Sequence, residues 1–234
     1  MTKRLTYLAR LVDYSNPKSL ASRFRRRRFV HIESLVRKVL AVRESCTIID
    51  VGGTAMYWKL MDPGLLEKCR VTIVNLATAK GLDPKQDIPP VGEFRFDLGD
   101  GRELDFKDKS FDIAHSNSVI EHVGVLADMR RFAREIVRLS HYYYVQTPNM
   151  WFPVDPHYGV PLFHWLPLPL RARLLATMDI GLQKKRATLQ EAVNYVEFVN
   201  LLDCNMLKDL FPQAEIRRER FLFMAKSLMA LGEH

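Results

Sequence analysis

The sequence predicts an α/β protein with a mostly parallel sheet and an antiparallel strand pair at its C-terminal end. Short β-branched or aromatic runs recur at intervals long enough for a returning helix. The first run, "IIDV", ends in Gly52 and Gly53. The last two runs stand almost back to back, which suits a hairpin rather than a crossover.

Residues 15–41 read as a long helix. Ser15 or Asn16 supplies a cap, and Pro17 fits its first turn because the missing N–H has no helical partner there. Leu20, Phe24, Ile32, Leu35, Val36, Val39 and Leu40 fall on one apolar stripe. "CTIIDV" (46–51) is the first strand, and after a helix-length gap "VTIVNL" (71–76) is the second. "EFRFDL" (93–98), "FDIAHS" (111–116) and "YYYVQT" (142–147) complete the parallel set. Between the last two, Ile120, Val123, Leu126, Met129, Phe132, Ile136 and Val137 predict a helix over 118–139. A helix over 204–211 precedes the strand-like runs 214–221 and 223–231. Such alternation implies right-handed crossovers.

Residues 148–200 break the alternation. Pro161, Pro167 and Pro169 interrupt the apolar stretch, which excludes a spanning helix. The segment reads as a helical and aromatic insertion after the fifth strand, over the strand ends where ligands bind in open α/β sheets. The expectation is one domain over 1–234, with a basic helical segment at 1–44 and an acceptor-side lid at 148–200.

Composition narrows the class. Hydrophobic residues make up 47% and charged residues 26% of the 234, ordinary values for a globular protein. No run approaches the roughly 18 apolar residues of a membrane span, and the first twenty residues lack a secretory-type apolar core, so a cytoplasmic location is expected. Cys46, Cys69 and Cys204 lie far apart without a C-x-x-C, which disfavours a disulfide frame or zinc knuckle. The net charge is +8, and Arg23, Arg25, Arg26, Arg27 and Arg28 concentrate part of it. This run is either a solvated helix face or a contact for an anionic partner such as a membrane surface.

The glycine turn excludes some ligands. A dinucleotide fingerprint starting at Gly52 meets Thr54 and Tyr57 where glycines are required, and no Gly-Lys-Ser/Thr follows for a P-loop. A ligand without phosphate needs only room against the turn and polar groups for its ends. "IIDVGGTA", "VTIVNLA", "LGDGRELDFKDKSFDIAHSNSVIEHV" and "YYYVQTPN" resemble, in order, the motifs of class I S-adenosylmethionine-dependent methyltransferases, nearest the type 11 group. The resemblance covers roughly residues 45–150 and resumes at "FPQAEIRRERFLFMAKSLMA".

That resemblance implies a Rossmann-like, doubly wound sheet of seven strands and S-adenosylmethionine as cofactor. It puts Asp50, Gly52, Gly53 and Thr54 in the turn under the methionine half, with Asp50 organising the loop or meeting the ammonium. Asn75 stands where the family usually has an acid for the ribose, followed by Leu76. Asp100 would accept from the adenine amino group, with the backbone of Gly101 and Arg102 along the ring edge. Ser116 and Asn117 would lie along the methionine chain, and Glu121 and His122 match a recurrent "EH".

The acceptor side is sought in "FPVDPHYGVPLFHW" (152–165), a pattern resembling type 11 relatives. Asp155 and His157 read as a carboxylate-oriented imidazole able to take a hydroxyl proton, or as a structural turn. A metal site is a third reading, disfavoured because no further ligands stand nearby in the sequence. Phe152, His164, Trp165 and His122 are candidate acceptor contacts, or packing of the lid on itself. The expected reaction is O-methylation of a small-molecule, sugar or glycolipid hydroxyl. A non-catalytic scaffold on the same fold and an RNA methyltransferase are the alternatives, and no base-stacking module favours RNA.

Overall fold

The computed structural model describes residues 20–77 and 83–233. The proposed cap at Ser15, Asn16 and Pro17 lies outside them. Helix α1 (Leu20–Leu40) leads into β1 (Cys46–Val51), β2 (Cys69–Asn75), β3 (Glu93–Leu98), β4 (Phe111–Asn117) and β5 (Ser140–Pro148). The hairpin β6 (Glu215–Phe221) and β7 (Met224–Glu233) follows the insertion. The sheet order is β3-β2-β1-β4-β5-β7-β6. β1 to β5 pair in parallel, while β7 runs antiparallel to both β5 and β6. This is the seven-stranded Rossmann-like sheet expected from the sequence.

Both faces of the sheet are covered, so its inner strands read as continuous apolar runs rather than alternating ones. Ile48 joins a cluster with Phe29, Ile32, Trp58 and Ile113 beneath α1. Its neighbour Ile49 points the other way, to Ala114, Phe132, Ile136 and Phe211 beneath α3 (Leu126–Leu139).

Two expected helices change form. Between β1 and β2 the gap holds a 3-10 segment (Ala55–Leu60) and one α-helical turn, α2 (Pro63–Leu66), capped by Asp62 and opened by Pro63. The helix predicted over 118–139 is divided. Ser118 has φ +56° and Gly124 φ +120°, so a 3-10 turn (Ile120–His122) comes first and α3 begins only at Leu126. The periodic apolar residues run through both pieces, and the backbone break between them leaves no trace in that period.

The arginine run is only partly a solvated face. Arg28 is buried, with Nη1 2.7 Å from the Glu219 carboxylate of β6. Arg25 lies over the Tyr57 ring at 5.2 Å from its centroid. Desolvation offsets much of the attraction in a buried pair like Arg28–Glu219, which fixes how α1 meets the hairpin more than it adds stability.

The insertion folds around its own small core. Helices α4 (Leu168–Thr177) and α5 (Leu189–Glu197) bury Ala172, Leu175, Ala192 and Val196 against Tyr158 and Phe163. Thr188 caps α5 by accepting from the Glu191 N–H. Helix α6 (Cys204–Leu210), capped by Asp203, then returns the chain to the sheet.

Candidate functional site

A cleft of about 660 Å³ opens at the carboxyl ends of β1, β2, β3 and β4. Gly52, Asn75, Leu76, Asp100, Gly101 and Arg102 line it. Gly52 sits at φ +79°, where a Cβ would also collide with Val119. The turn is held from both sides: the Asn75 side-chain amide donates to the Gly53 carbonyl at 3.0 Å, and the Gly52 N–H donates to the Val74 carbonyl at 2.8 Å.

Asp50 does not face this cleft. Its carboxylate is fully buried, accepting from Trp58 Nε1 at 2.8 Å and lying 2.7 Å from His115 Nδ1. Of its two expected roles, the loop-organising one fits this placement. Gly53 backs directly onto that carboxylate, with no room for a side chain. Thr54 precedes the 3-10 segment with φ −136° and lies outside the cleft lining. Ser116 is buried with its hydroxyl donating to the Val51 carbonyl, and Asn117 meets the Tyr57 hydroxyl at 3.4 Å. The wall assigned to those two residues is formed by Ser118 and Val119 instead, because the chain leaves β4 through a left-handed Ser118. Phe132 and Phe198 also line the cleft. Nothing in the sequence pattern separates them from ordinary core positions.

Asp100 accepts from Arg102 at Nε and Nη2 and from the Arg102 backbone N–H. Hydrogen bonding to Arg102 holds the Asp100 carboxyl below its ordinary range despite partial burial. Arg102 also reaches Asp128 of α3 at 3.1 Å, which ties the β3 loop to that helix.

The acceptor-side residues form a chain of contacts. His157 Nδ1 lies 2.7 Å from Asp155 Oδ1, and its Nε2 lies 3.0 Å from His122 Nε2. His122 Nδ1 is 3.3 Å from the Phe198 carbonyl. Glu121 is fully buried and accepts from Thr147 through Oε2, while Oε1 has no partner. Burial pushes the Glu121 carboxyl up to about 7, against opposing bonds from the backbone and Thr147 and the nearby charge of His157. Burial and the neighbouring His157 pull His122 down to about 4. His157 moves upward: burial acts to lower it, and the bond and charge of Asp155 outweigh that.

The fold also gathers groups able to ligate a metal. Around His157 the sequence offers no cluster, yet the fold brings Glu121, His122 and His157 together, with one ligand atom from each within 4.8 Å of the others. The 3-10 turn after β4 and the loop after β5 end beside one another, and no local spacing records this.

A second cavity, of about 410 Å³, lies between α3 and the insertion. Asp155, His164 and Arg171 contribute its polar groups, and Val125, Met129 and Met206 part of its apolar wall. His164 is buried, its Nε2–H donating to the Met150 carbonyl at 3.0 Å. Trp165 shares that carbonyl but is 44% exposed and, like Phe152, lines neither cavity. Phe152 packs toward Phe221 of the hairpin instead.

Known proteins place the fold. The family described as a methyltransferase domain matches residues 49–141. An uncharacterized protein of Mycobacterium tuberculosis (strain ATCC 25618 / H37Rv) is 34% identical over 56 residues, 24% of this chain and 19% of that protein. The aligned stretch thus spans about a fifth of the length of the curated relatives it matches. Among solved structures, a SAM-dependent methyltransferase from Methanosarcina mazei superposes with a TM-score of 0.53 at 15% identity, covering 81% of this chain and 92% of that one. The N-methyltransferase NodS from Bradyrhizobium japonicum WM9 gives 0.52 at 11% identity, covering 90% and 96%. Magnesium protoporphyrin IX methyltransferase from Synechocystis PCC 6803, solved with bound SAH, gives 0.50 at 10% identity, covering 99% and 95%. At these identities the structural likenesses bear on the fold alone. Residues 49–141 thus match a methyltransferase domain, set in a seven-stranded fold that the chain shares with these solved methyltransferases.

Proposed function

We propose that this chain transfers a methyl group from S-adenosylmethionine to a hydroxyl of a small-molecule acceptor. One observation carries the reading: Asp155 lines the second cavity, His122 lines the cleft, and His157 bridges the two by contacts of 2.7 and 3.0 Å. The cleft suits the cofactor, with room for an extended nucleoside and with Asn75, Asp100 and the Gly101 backbone at its polar rim. S-adenosylmethionine supplies an activated methyl on a sulfonium. The protein's share is to align acceptor and methyl, keep water out and manage the hydroxyl proton. His157, oriented by Asp155, stands where that proton leaves. His122 and Phe198, stacked at 4.7 Å, form the partition between the two ligands.

The mixed lining of the second cavity supports an acceptor with an apolar portion and a hydroxyl-bearing polar head, such as a glycolipid-type molecule. Arg23 and Arg27 are exposed, and Arg27 shares a surface depression with Arg218 and Arg220. That favours an anionic surface on this side, while no helix among the described residues is long and apolar enough to cross a membrane. The test is calorimetry with S-adenosylmethionine and S-adenosylhomocysteine, then a mass screen of hydroxylated acceptors for an added methyl. Micromolar binding of both ligands and a methylated hydroxyl are expected. Binding of neither ligand would leave a scaffold on the same fold.

A further inference from the structure

The contact between His122 and His157 is satisfied by a proton or a cation between them when each ring is protonated at Nδ1. The Phe198 carbonyl can only accept, so His122 Nδ1 carries the proton of its ring. The Asp155 carboxylate likewise assigns the His157 proton to Nδ1. Both Nε2 atoms then point unprotonated lone pairs at each other across 3.0 Å. A shared proton would relieve that, but it would leave the Glu121 Oε1 atom unpartnered in a fully buried side chain. The same three side chains converge within 4.8 Å.

We propose that Glu121, His122 and His157 bind a divalent transition-metal ion, which holds the acceptor hydroxyl. The proposal deepens the methyltransferase reading and rests on it for the acceptor step. The histidine pair matches, since two imidazole nitrogens about 2.0–2.1 Å from one ion lie about 2.9 Å apart at a right angle and about 3.4 Å apart at the tetrahedral angle. The Glu121 carboxylate, within 4.8 Å, closes inward to join them. Each imidazole is already anchored through its other nitrogen, by a carboxylate and by a backbone carbonyl, the arrangement that orients metal-bound histidines. Two imidazoles and one carboxylate suit zinc, manganese, iron or cobalt better than calcium, which prefers an all-oxygen shell. Three protein ligands leave positions open, and His122 lines the cofactor cleft.

In this arrangement His157 manages the acceptor proton through the ion, to which it gives its lone pair, and Asp155 holds the ring. A hydroxyl at the open position gives up its proton to solvent more readily beside the ion. Its oxygen forms the new O–C bond as the S–CH₃ bond breaks. The sum is ROH plus the sulfonium giving ROCH₃, the thioether S-adenosylhomocysteine and one proton.

The experiment uses full-length, untagged protein treated with a chelator and then dialysed. Zn²⁺, Mn²⁺, Co²⁺ and Mg²⁺ chlorides are titrated separately by calorimetry, and metal content is measured by mass spectrometry after dialysis. One ion per chain, with Zn²⁺ or Co²⁺ tighter than Mg²⁺, is expected. Glu121→Gln and His122→Ala should each weaken it at least tenfold. S-adenosylhomocysteine binding and the thermal midpoint, measured on every variant, report folding; Glu121→Gln keeps the side-chain shape if His122→Ala proves unstable. If wild-type protein binds S-adenosylhomocysteine but no ion, or binds an ion equally well in both variants, the metal site is wrong. If it binds the ion but neither cofactor form, the methyltransferase reading fails and the metal site stands.

Discussion

On the proposed cofactor side, Gly52, Asn75, Asp100 and Gly101 stand at the ends of three neighbouring strands of one sheet. On the proposed acceptor side, Glu121 and His122 are separated from Asp155 and His157 by all of α3 and β5. The first wall takes its position from ladder register, and its supports reach into the main core through Asp50, Trp58 and His115. The second is held by side-chain contacts and by an insertion with a separate small core. Changes on the acceptor side should therefore spare cofactor binding, whereas changes beneath the glycine turn should damage stability and cofactor binding together.

The largest expected effect tests the first half of that statement. His157→Ala should lower turnover by about 10²–10⁴-fold, the range for losing a proton-handling group. S-adenosylhomocysteine affinity, read by calorimetry, should stay within about threefold. A parallel collapse of cofactor affinity would mean that the two walls are one structure.

The opposite behaviour is expected of Asp50→Ala, which strands the buried Trp58 N–H and the His115 ring. At about 1–3 kcal/mol for each unsatisfied buried group, the cost is about 3 kcal/mol in chemical denaturation. Cofactor affinity should fall as well, since Gly53 rests on that carboxylate. A smaller loss is expected from Leu175→Ala, about 2–3 kcal/mol for a truncated core side chain. It should be confined to the insertion: faster amide exchange in α4 and α5, with unchanged exchange in β1 and β4 and unchanged S-adenosylhomocysteine affinity.

The same contrast explains how much could be read in advance. The sheet and much of the cleft lining at its strand ends were legible because consecutive residues of "IIDVGGTA" and "LGDG" share one local structure. That Ser118 and Val119 line the cleft in place of Ser116 and Asn117 was not legible, because the left-handed conformation at Ser118 carries no side-chain signal. Glu121 was assigned only to a motif, and its partnership with His157 spans 36 positions. His157 and Asp155 stood out because two residues suffice to bring an imidazole over a carboxylate. Phe198 was invisible: an apolar residue late in the insertion looks like any other until the fold sets it against His122.

The smallest effect probes the seam between the β3 loop and α3. Asp100 has its folded-state pKa lowered, mainly by hydrogen bonding to Arg102. For a lowered carboxyl, the unfolded chain holds more protons in the window just below the ordinary aspartate value, so stability rises with pH there. The contribution is complete above the unfolded pKa and disappears as pH falls through the folded one. The Asp100 side chain is 38% exposed, so solvent screening limits the contribution to about 0.5 kcal/mol. Arg102→Gln should therefore lower the denaturant midpoint slightly at pH 6, with the gap to wild type narrowing as pH falls from about 4 toward 2. A gap that stayed constant across that range would mean that neither carboxylate partner of Arg102 matters, and the β3 loop would be fixed by packing on α3 rather than by ion pairs.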